Sequence, residues 1–475
     1  MPPSSLLRLL FPAIFACLAD AAGALDVAPA DVASAKETGP PRNVILIIGD
    51  GMGDQQITIA RNYLEGARGR LLLDHLPLRS AVQVLTVDEQ EQPVYVADSA
   101  NSATAMATGV VTSRGRVAVA ADGKTLLPTL LQQAEAAGLR TGLVATSSVT
   151  DATPAAFVAH MSLRHCENPA AMLGEKRGLT TLPHCKHLLK ANGGPGSISE
   201  QIAASAADVV LGGGLKHFSV TDESGNASVL ELARDSGFTV ITDPARLEEI
   251  PLDQRVLGLF AESHLPERWR GEDGREAEAP RPSWANYLHP YLGSVTLPAP
   301  MRCEPNPDFV GTPTLAELTH AALRRLHNDA GFFLMVESAS IDKAAHHRRA
   351  CGSIGELQQL LEAVQLALDY ADEQGNTLVL VTADHGQAAQ IIPRRSFFAD
   401  YGIPVYTPGR LARLLTPEGS VLAINYATND FEYQEHTGVN VPLFGNTEAL
   451  GRIPPMLYQP DIYHIMHDYL FGDRP

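Results

Sequence analysis

Short apolar runs that end in polar residues recur along the chain. Each run has the length and the β-branched content of one buried strand. Helical segments such as "LLPTLLQQAEAAG" and "IGELQQLLEAVQLALDYADEQG" separate them. The runs with their polar ends are "NVILIIGDGMGD", "TGLVATSSVTDATPAA", "GFFLMVESASIDKAAHH" and "NTLVLVTADHG". Buried strands that alternate with helices predict an α/β fold with a central, mostly parallel sheet and helices on both faces.

The polar residues at these strand ends are spread over most of the chain. They are Asp50, Asp151, Thr153, Glu337, Asp384 and His385. Because ligand sites in open α/β sheets lie beyond the carboxyl ends of the strands, we expect these side chains to converge on one edge of one sheet. This convergence predicts a single large domain over residues 43–475, although length alone would suggest several domains. Residues 262–312 are polar and proline-rich and predict a surface insertion, either a lid or a subunit contact.

The beginning of the chain has the pattern of an export signal. A basic residue precedes the apolar stretch "LLFPAIFACLA", and "AGA" at 22–24 supplies a cleavage site of small residues. We therefore expect a signal peptide at 1–24 and a flexible mature N-terminus at 25–42. A lipid anchor at Cys17 is disfavoured because Phe15 is bulky for that processing site. No later segment has the roughly 20 apolar residues that a membrane span needs.

Four cysteines remain after the predicted signal peptide, and an even number in an exported chain suggests two disulfides. Adjacent pairing, Cys166 with Cys185 and Cys303 with Cys351, closes the shortest loops, although the sequence leaves the other two connectivities open. Zinc binding by these cysteines is the alternative, and the lack of any C-x-x-C spacing disfavours it.

The excess of acidic over basic residues bears on which partners the chain could bind. Lys and Arg number 36 against 54 Asp and Glu, a formal charge of −18 over 475 residues. This excess repels polyanions and argues against a nucleic-acid-binding surface. Some of the acidic residues are instead candidates for holding metal ions.

Three short motifs carry candidate metal ligands. Asp342 and His346 are four residues apart, so on a helix they share a face and could bind one metal ion. A surface ion pair is, however, the more common reason for this spacing. Asp384 and His385 end a strand in "TADHG" and are expected to point into the cleft. Asp50 emerges from an apolar strand and needs a partner for its charge, which a metal would supply.

Two motifs have competing interpretations when each is taken alone. His436 in "YQEHTG" is more often a structural histidine than a ligand. The segment "GDGMGD" could be a phosphate-binding loop, but it lacks the lysine of a Walker A loop and the spacing of a dinucleotide-binding fingerprint.

Six motifs taken together resemble the alkaline phosphatase family, and specifically its bacterial periplasmic branch. In chain order they are "GDGMGD", "DSANSATAMATG", "DATPAA", "VESASIDKAAHH", "VTADHG" and "QEHTG", and the resemblance runs from about residue 43 to the C-terminus. It implies that Ser99, at the start of a helix, is the nucleophile. The small residues around Ser99 let the backbone approach a phosphate, and a helix N-terminus favours an anion there. Arg164 in "SLRHC" matches the arginine that clamps phosphate.

The resemblance also implies three metal positions. The first zinc ion would be held by Asp342, His346 and His436. The second would be held by Asp50, Asp384 and His385, with Ser99 as an added ligand in the free enzyme. A magnesium ion would be bound by Asp50, Thr153 and Glu337. Two further residues, Asp151 and Lys343, match positions that order water around the magnesium and contact phosphate indirectly, and this pair suggests magnesium rather than a third zinc.

The sequence departs from the family pattern in two places. Asn101 stands where alanine is common, and residues 262–300 do not match well. The second departure leaves substrate preference and subunit contacts open.

The resemblance implies hydrolysis of small phosphate monoesters at alkaline pH through a phosphoserine intermediate. It further implies an exported, periplasmic enzyme that forms a homodimer, as the family usually does. The alternatives are a phosphodiesterase or sulfatase of the same superfamily, and a non-catalytic exported protein that binds zinc or phosphate. A sulfatase would need a formylglycine context, a diesterase usually lacks the magnesium ligands, and a non-catalytic protein would be expected to have lost Ser99 or Arg164.

Overall fold

The computed structural model describes residues 42–472, apart from 175, 178–179, 182, 290–291 and 402–407. The predicted signal peptide at 1–24 lies outside the described residues, as does the predicted flexible N-terminus except for its last residue. The described residues belong to one compact unit that spans 40–475. They form the single large α/β domain that the strand pattern predicts.

A ten-stranded sheet forms the centre of this domain. In chain order its strands are β1 (Arg42–Gly49), β2 (Leu78–Gln83), β3 (Arg140–Ser148), β4 (Val209–Gly213), β5 (Thr239–Ile241), β6 (Val256–Leu259), β7 (Gly331–Ser338), β8 (Thr377–Ala383), β9 (Val441–Gly445) and β10 (Met456–Tyr458). Across the sheet their order is β10-β2-β9-β8-β1-β7-β3-β4-β6-β5. Strand β9 runs antiparallel to both of its neighbours, and the other pairings in the sheet are parallel.

Strand β1 shows why the apolar runs are buried strands. Ile45 of β1 lies opposite Leu334 of β7 on one side and Val379 of β8 on the other. Residues 44–48 are fully buried, as a strand must be when helices cover both faces of a parallel sheet. The prediction of a mostly parallel sheet with helices around it is therefore confirmed.

The described part of the chain contains thirteen α-helices. They are α1 (Asp54–Leu64), α2 (Ser99–Thr108), α3 (Leu130–Ala136), α4 (Ala152–Val158), α5 (Pro169–Met172), α6 (Ile198–Ala204), α7 (Leu215–Phe218), α8 (Val229–Asp235), α9 (Trp284–Leu288), α10 (Leu315–Leu326), α11 (Ser340–His346), α12 (Ala350–Gln374) and α13 (Asp461–Phe471). The long helix α12 packs against β1, β7 and β8, the strands at the centre of the sheet. Within the described ranges, no helix has the combined length and apolarity to cross a membrane.

Short strands outside the central sheet form five small sheets. Their pairings are Thr86–Val87 with Pro93–Val94, Lys176–Arg177 with Thr180–Thr181, Trp269–Gly271 with Cys303–Pro305, Arg281–Pro282 with Val295–Thr296, and Val421–Tyr426 with both Gln390–Ile392 and Arg410–Leu415. Two of these pairings belong to the predicted insertion at 262–312. Met301 of that segment also bridges to Leu414 of the three-stranded sheet.

Both disulfides have the adjacent pairing. Cys166 is bonded to Cys185, close in the chain to Arg164. Cys303 is bonded to Cys351, which ties the 262–312 segment to the first turn of α12.

Candidate active site

The carboxyl ends of three neighbouring strands supply polar residues that the sequence pattern singled out. Asp50 directly follows β1, and its backbone N–H donates to the carbonyl of Ser338 at the end of β7. Glu337 is the penultimate residue of β7, and Asp384 and His385 follow β8. The expected convergence on one edge of the sheet is therefore present in the structure.

Ser99 is the first residue of α2 and lies at the same edge. Its side chain is nearly inaccessible, and its Oγ lies 3.2 Å from His385 Nε2. The preceding Asp98 caps the helix, because its carboxylate accepts from the N–H of Asn101 while Asn101 Oδ1 accepts from the N–H of Asp98. This reciprocal capping box gives Asn101, the departure from the family pattern, a structural role.

Asp342, His346 and His436 form one compact group of ligand atoms. Their separations are 3.2 Å from His346 Nε2 to Asp342 Oδ2, 3.5 Å from His436 Nε2 to Asp342 Oδ1, and 3.0 Å between the two Nε2 atoms. The spacing of four residues on α11 therefore brings Asp342 and His346 to one face, and His436 joins them from the loop before β9. The alternative of an isolated surface ion pair does not describe this buried cluster.

Asp50, Asp384 and His385 form a second group beside the first. His385 Nε2 lies 3.5 Å from Asp50 Oδ1 and 3.3 Å from Asp384 Oδ2. The ring of His385 stacks on that of His436 with centroids 3.6 Å apart, so the two groups are contiguous. The ligand atoms of Asp50, Asp384 and His385 lie within 4.8 Å of one another, and so do those of Asp342, His436 and His385, so each set could hold a metal ion.

Each histidine of these groups turns the same nitrogen toward the cluster. His346 Nδ1 contacts the carbonyl of Gln434, His436 Nδ1 that of Ala97 and His385 Nδ1 that of Gly386. A backbone carbonyl can only accept, so each Nδ1 carries the proton and each Nε2 presents a lone pair. The Nε2 atoms of His346 and His436 lie 3.0 Å apart, and a metal ion or a proton between them would offset the repulsion of two lone pairs.

Several buried oxygen atoms at this edge lack hydrogen-bond partners among the described residues. Asp50 Oδ1 and Asp384 Oδ2 are two of them. The hydroxyl of Thr153 is a third. It lies close enough to Glu337 to lower the pKa of that carboxyl, but it forms no hydrogen bond with any described residue. Buried charged or polar oxygens without donors are costly, and coordination of a cation would satisfy them.

The crowding of carboxylates at this edge of the sheet also favours bound cations. Burial, and then the charges of Asp342, Asp384 and Glu337, raise the pKa of Asp50 well above its ordinary value. Burial, and then the charge of Asp151, raise the pKa of Glu337 to about 7. Bound cations would offset this repulsion and keep the carboxylates ionised at neutral pH.

Glycine at position 51 is explained by this packing. Its φ of 67° lies in the left-handed region, and a Cβ there would lie 3.0 Å from Cβ of Asp342. Its N–H donates to Asp384 Oδ1 at 2.9 Å and is therefore not free to bind phosphate. The "GDGMGD" segment positions carboxylates, and the phosphate-loop alternative is disfavoured.

Asp151 and Lys343 form an ion pair next to Glu337. Lys343 Nζ lies 2.5 Å from Asp151 Oδ2, and Arg164 Nη2 lies 3.0 Å from Asp151 Oδ1. Burial would raise the pKa of Asp151, but these two cations outweigh burial and hold it well below the ordinary value. Ser147 Oγ donates to Glu337 Oε2 at 2.8 Å and orients that carboxylate.

Arg164 keeps part of its guanidinium accessible at the mouth of the site. Its side chain is 30% exposed, and its second ion pair is with Asp98 at 3.3 Å. Burial would raise the pKa of Asp98, but Arg164 and the N–H groups of Gly115 and Asn101 keep it below the ordinary value. Asp98 thus links the N-terminus of α2 to Arg164.

Some orienting residues were missed by the sequence analysis. Asp98 and Gln387 are the main ones, and Gln387 Nε2 donates to Asp342 Oδ1 at 2.6 Å. The D-x-x-N spacing of Asp98 and Asn101 was a visible capping signal. The role of Gln387 had no local signal, because its partner lies 45 positions away in the chain.

Comparisons with known proteins agree with this arrangement. The alkaline phosphatase family model matches residues 41–442. The chain is 43% identical over 454 residues to a streptomycin-6-phosphate phosphatase of Streptomyces griseus, covering 92% of this chain and 93% of that protein. It is 39% identical over 437 residues to an alkaline phosphatase of Escherichia coli, covering 90% and 85%. The alkaline phosphatase of the Antarctic bacterium TAB5 has the same fold, with a TM-score of 0.65, 21% identity, and coverage of 92% and 100%.

Proposed function

The chain belongs to the alkaline phosphatase family and is a phosphatase, and we propose that it hydrolyses phosphate monoesters at alkaline pH through a phosphoserine on Ser99. The observation that carries the proposal is the position of Ser99 Oγ. It lies at a helix N-terminus, 3.2 Å from His385 Nε2, where the two ligand groups meet. A phosphate bound there would meet the nucleophile and the positive end of the helix together.

The proposed cofactors are two zinc ions and one magnesium ion. Asp342, His346 and His436 would hold the first zinc, Asp50, Asp384, His385 and Ser99 the second, and Asp50, Thr153 and Glu337 the magnesium. The unpartnered oxygens and the inward Nε2 lone pairs fit this assignment. When bound, such ions lower the pKa of hydroxyl groups and neutralise charge that builds up on oxygen. Asp151 and Lys343 would orient water beside the magnesium.

The chain's own residues bring about two displacements at phosphorus. In the first, Ser99 Oγ forms a bond to phosphorus, the bond to the ester oxygen breaks, and the alcohol leaves. In the second, water attacks the phosphoserine, inorganic phosphate leaves, and the Ser99 hydroxyl is restored. Arg164 would hold two phosphate oxygens with its planar fork during both displacements. Ala100 and the other small residues after Ser99 allow the close approach of the phosphate.

The choice between ester classes is tested by comparing three substrates. We expect rapid hydrolysis of p-nitrophenyl phosphate and far slower hydrolysis of bis-p-nitrophenyl phosphate and p-nitrophenyl sulfate, because Arg164 and the metal ions that the ligand groups would hold would neutralise the charge of a phosphate dianion. Release of nitrophenolate at alkaline pH measures all three. A faster rate with the diester or the sulfate would contradict the proposal.

Replacement of Arg164 by serine is expected to weaken binding without abolishing chemistry. One charged donor contributes about 2 to 4 kcal/mol to a developing anion, so kcat/KM should fall by about 30-fold to 1000-fold. Inhibition by inorganic phosphate should weaken as well. Arg164→Lys is the matched control, because it keeps the charge and loses the fork, and its defect should be intermediate. Rescue of Arg164→Ser by added zinc, or unchanged phosphate inhibition, would refute the clamp.

Location and assembly belong to the same proposal. We expect export to the periplasm, and the two disulfides support an oxidising compartment. The homodimer stays a prediction drawn from the family resemblance.

A further inference from the structure

A cavity of about 650 Å³ opens beside the candidate active site. One wall is formed by Lys343, His346, His347 and Arg349, which lie on α11 or just after it. Other lining residues, among them His264, Glu267 and Asp308, belong to the 262–312 segment. The Cys303–Cys351 disulfide joins this segment to the first turn of α12. The cavity is therefore bordered both by the helix that carries Asp342 and His346 and by the predicted surface insertion.

A series of contacts connects Ser99 with the cavity through the ligand groups. Ser99 Oγ contacts His385, the ring of His385 stacks on His436, and His436 Nε2 lies 3.0 Å from His346 Nε2, which borders the cavity. In an in-line displacement the attacking and leaving oxygens lie on opposite sides of phosphorus. An alcohol that leaves on the side of His346, away from Ser99, would enter this cavity.

The fixed positive charges of the cavity are already paired. Lys343 lies 2.5 Å from Asp151, and Arg349 lies 2.8 Å from Glu267 and 3.3 Å from Glu276. His264 in the lining is uncharged at neutral pH, since burial lowers its pKa to about 4.

One carboxylate of the lining has no cationic partner. Asp308 is exposed to the cavity and forms no ion pair with any residue in the described ranges. Lys343 and Arg349 are already paired with other carboxylates, so neither of them neutralises Asp308. An alcohol that carries a positive charge would meet it favourably.

An aromatic surface lies in the same cavity. The rings of Tyr433 and His347 pack edge to face with centroids 4.8 Å apart, and the Tyr433 side chain is 45% exposed. An exposed tyrosine face attracts ammonium groups through its quadrupole, most strongly quaternary ones. A carboxylate and an aromatic face together form the usual surroundings of an alkylammonium ion.

We infer that this cavity is the alcohol-binding subsite and that it favours phosphate monoesters of cationic, ammonium-bearing alcohols. The inference rests on the proposed function, since it assigns the leaving group of that reaction. Asp308 and Tyr433 are the specificity-determining residues, and the 262–312 segment supplies the carboxylate.

The test compares two esters of the same shape. Phosphocholine carries a quaternary nitrogen, and neohexyl phosphate has carbon in its place. The ratio of their kcat/KM values is measured in the wild type, in Asp308→Asn and in Tyr433→Leu. Each variant should lower the ratio by about two- to fivefold, the size of one partly exposed charge or cation–π contact. The different acidities of the two alcohols cancel, because the same pair is compared in every protein.

Asp253→Asn is the matched control, since it removes an exposed carboxylate before β6, at the other edge of the sheet. Its ratio should equal that of the wild type. A ratio that is unchanged in both Asp308→Asn and Tyr433→Leu would overturn the subsite. Failure of the proposed function would look different, because the wild type would then hydrolyse neither ester and would not hydrolyse p-nitrophenyl phosphate.

Discussion

Replacing Asp384 or His436 by alanine is expected to lower the turnover of p-nitrophenyl phosphate by at least about 10³-fold, since a bound metal contributes several kcal/mol to such a reaction. Each variant removes one member of a ligand group whose atoms lie within 4.8 Å of one another. The remaining ligands should bind metal more weakly, so excess zinc should restore part of the activity. A zinc titration monitored by turnover and by metal content of the purified protein measures both effects.

His327→Ala is the matched control for the histidine variant. His327 lies before β7, at the opposite edge of the sheet, where it contacts the hydroxyl of Tyr370. Its loss should change neither metal content nor turnover. Normal metal content in both Asp384→Ala and His436→Ala would contradict the assignment of these residues as ligands. Full activity of the wild type after chelation would contradict metal dependence itself.

The positions of several ligands could be predicted from the sequence because they depend on local geometry. Asp50 and Asp384 directly follow apolar strands, and parallel strands present their carboxyl ends at one edge. Asp342 and His346 share a face because an α-helix repeats every 3.6 residues. In each case the strand or helix that positions the residue has a hydrophobic pattern or a residue spacing that can be recognised in the neighbouring sequence.

Contacts between distant segments could not be predicted in this way. The ion pair of Arg164 with Asp98 joins residues 66 positions apart, and the contact of His346 with His436 joins residues 90 positions apart. The periodicity of neighbouring residues contains no information about contacts between positions so far apart in the chain. The family resemblance supplied the grouping of His436 with Asp342 and His346, while the ion pair of Asp98 with Arg164 became visible only in the structure.

The contacts of the 262–312 segment were also impossible to predict from local sequence patterns. Its polar, proline-rich composition predicts a surface position but says nothing about which residues face the site. In the structure, residues near both of its ends line the cavity beside His346. The prediction that this segment is a lid or a subunit contact stays a prediction. Its residues in the cavity lining are a feature that the sequence did not predict.

Replacement of Ser99 by alanine is expected to have the other large effect. Without its hydroxyl the chain has no group at the N-terminus of α2 that can form the phosphoester bond, so turnover should fall by at least about 10³-fold. Metal content should be largely retained, because the aspartates and histidines of both ligand groups remain. Ser102→Ala is the matched control, since Ser102 lies one turn further along the same helix and is equally buried. It should keep most of the activity.

The most direct test of the phosphoserine mechanism is rapid acid quenching during hydrolysis of a monoester with labelled phosphorus, followed by peptide mapping. The wild type and Ser102→Ala should carry the label on Ser99, and Ser99→Ala should carry none. Label on any other residue, or label retained in Ser99→Ala, would contradict the assignment of Ser99 as the nucleophile.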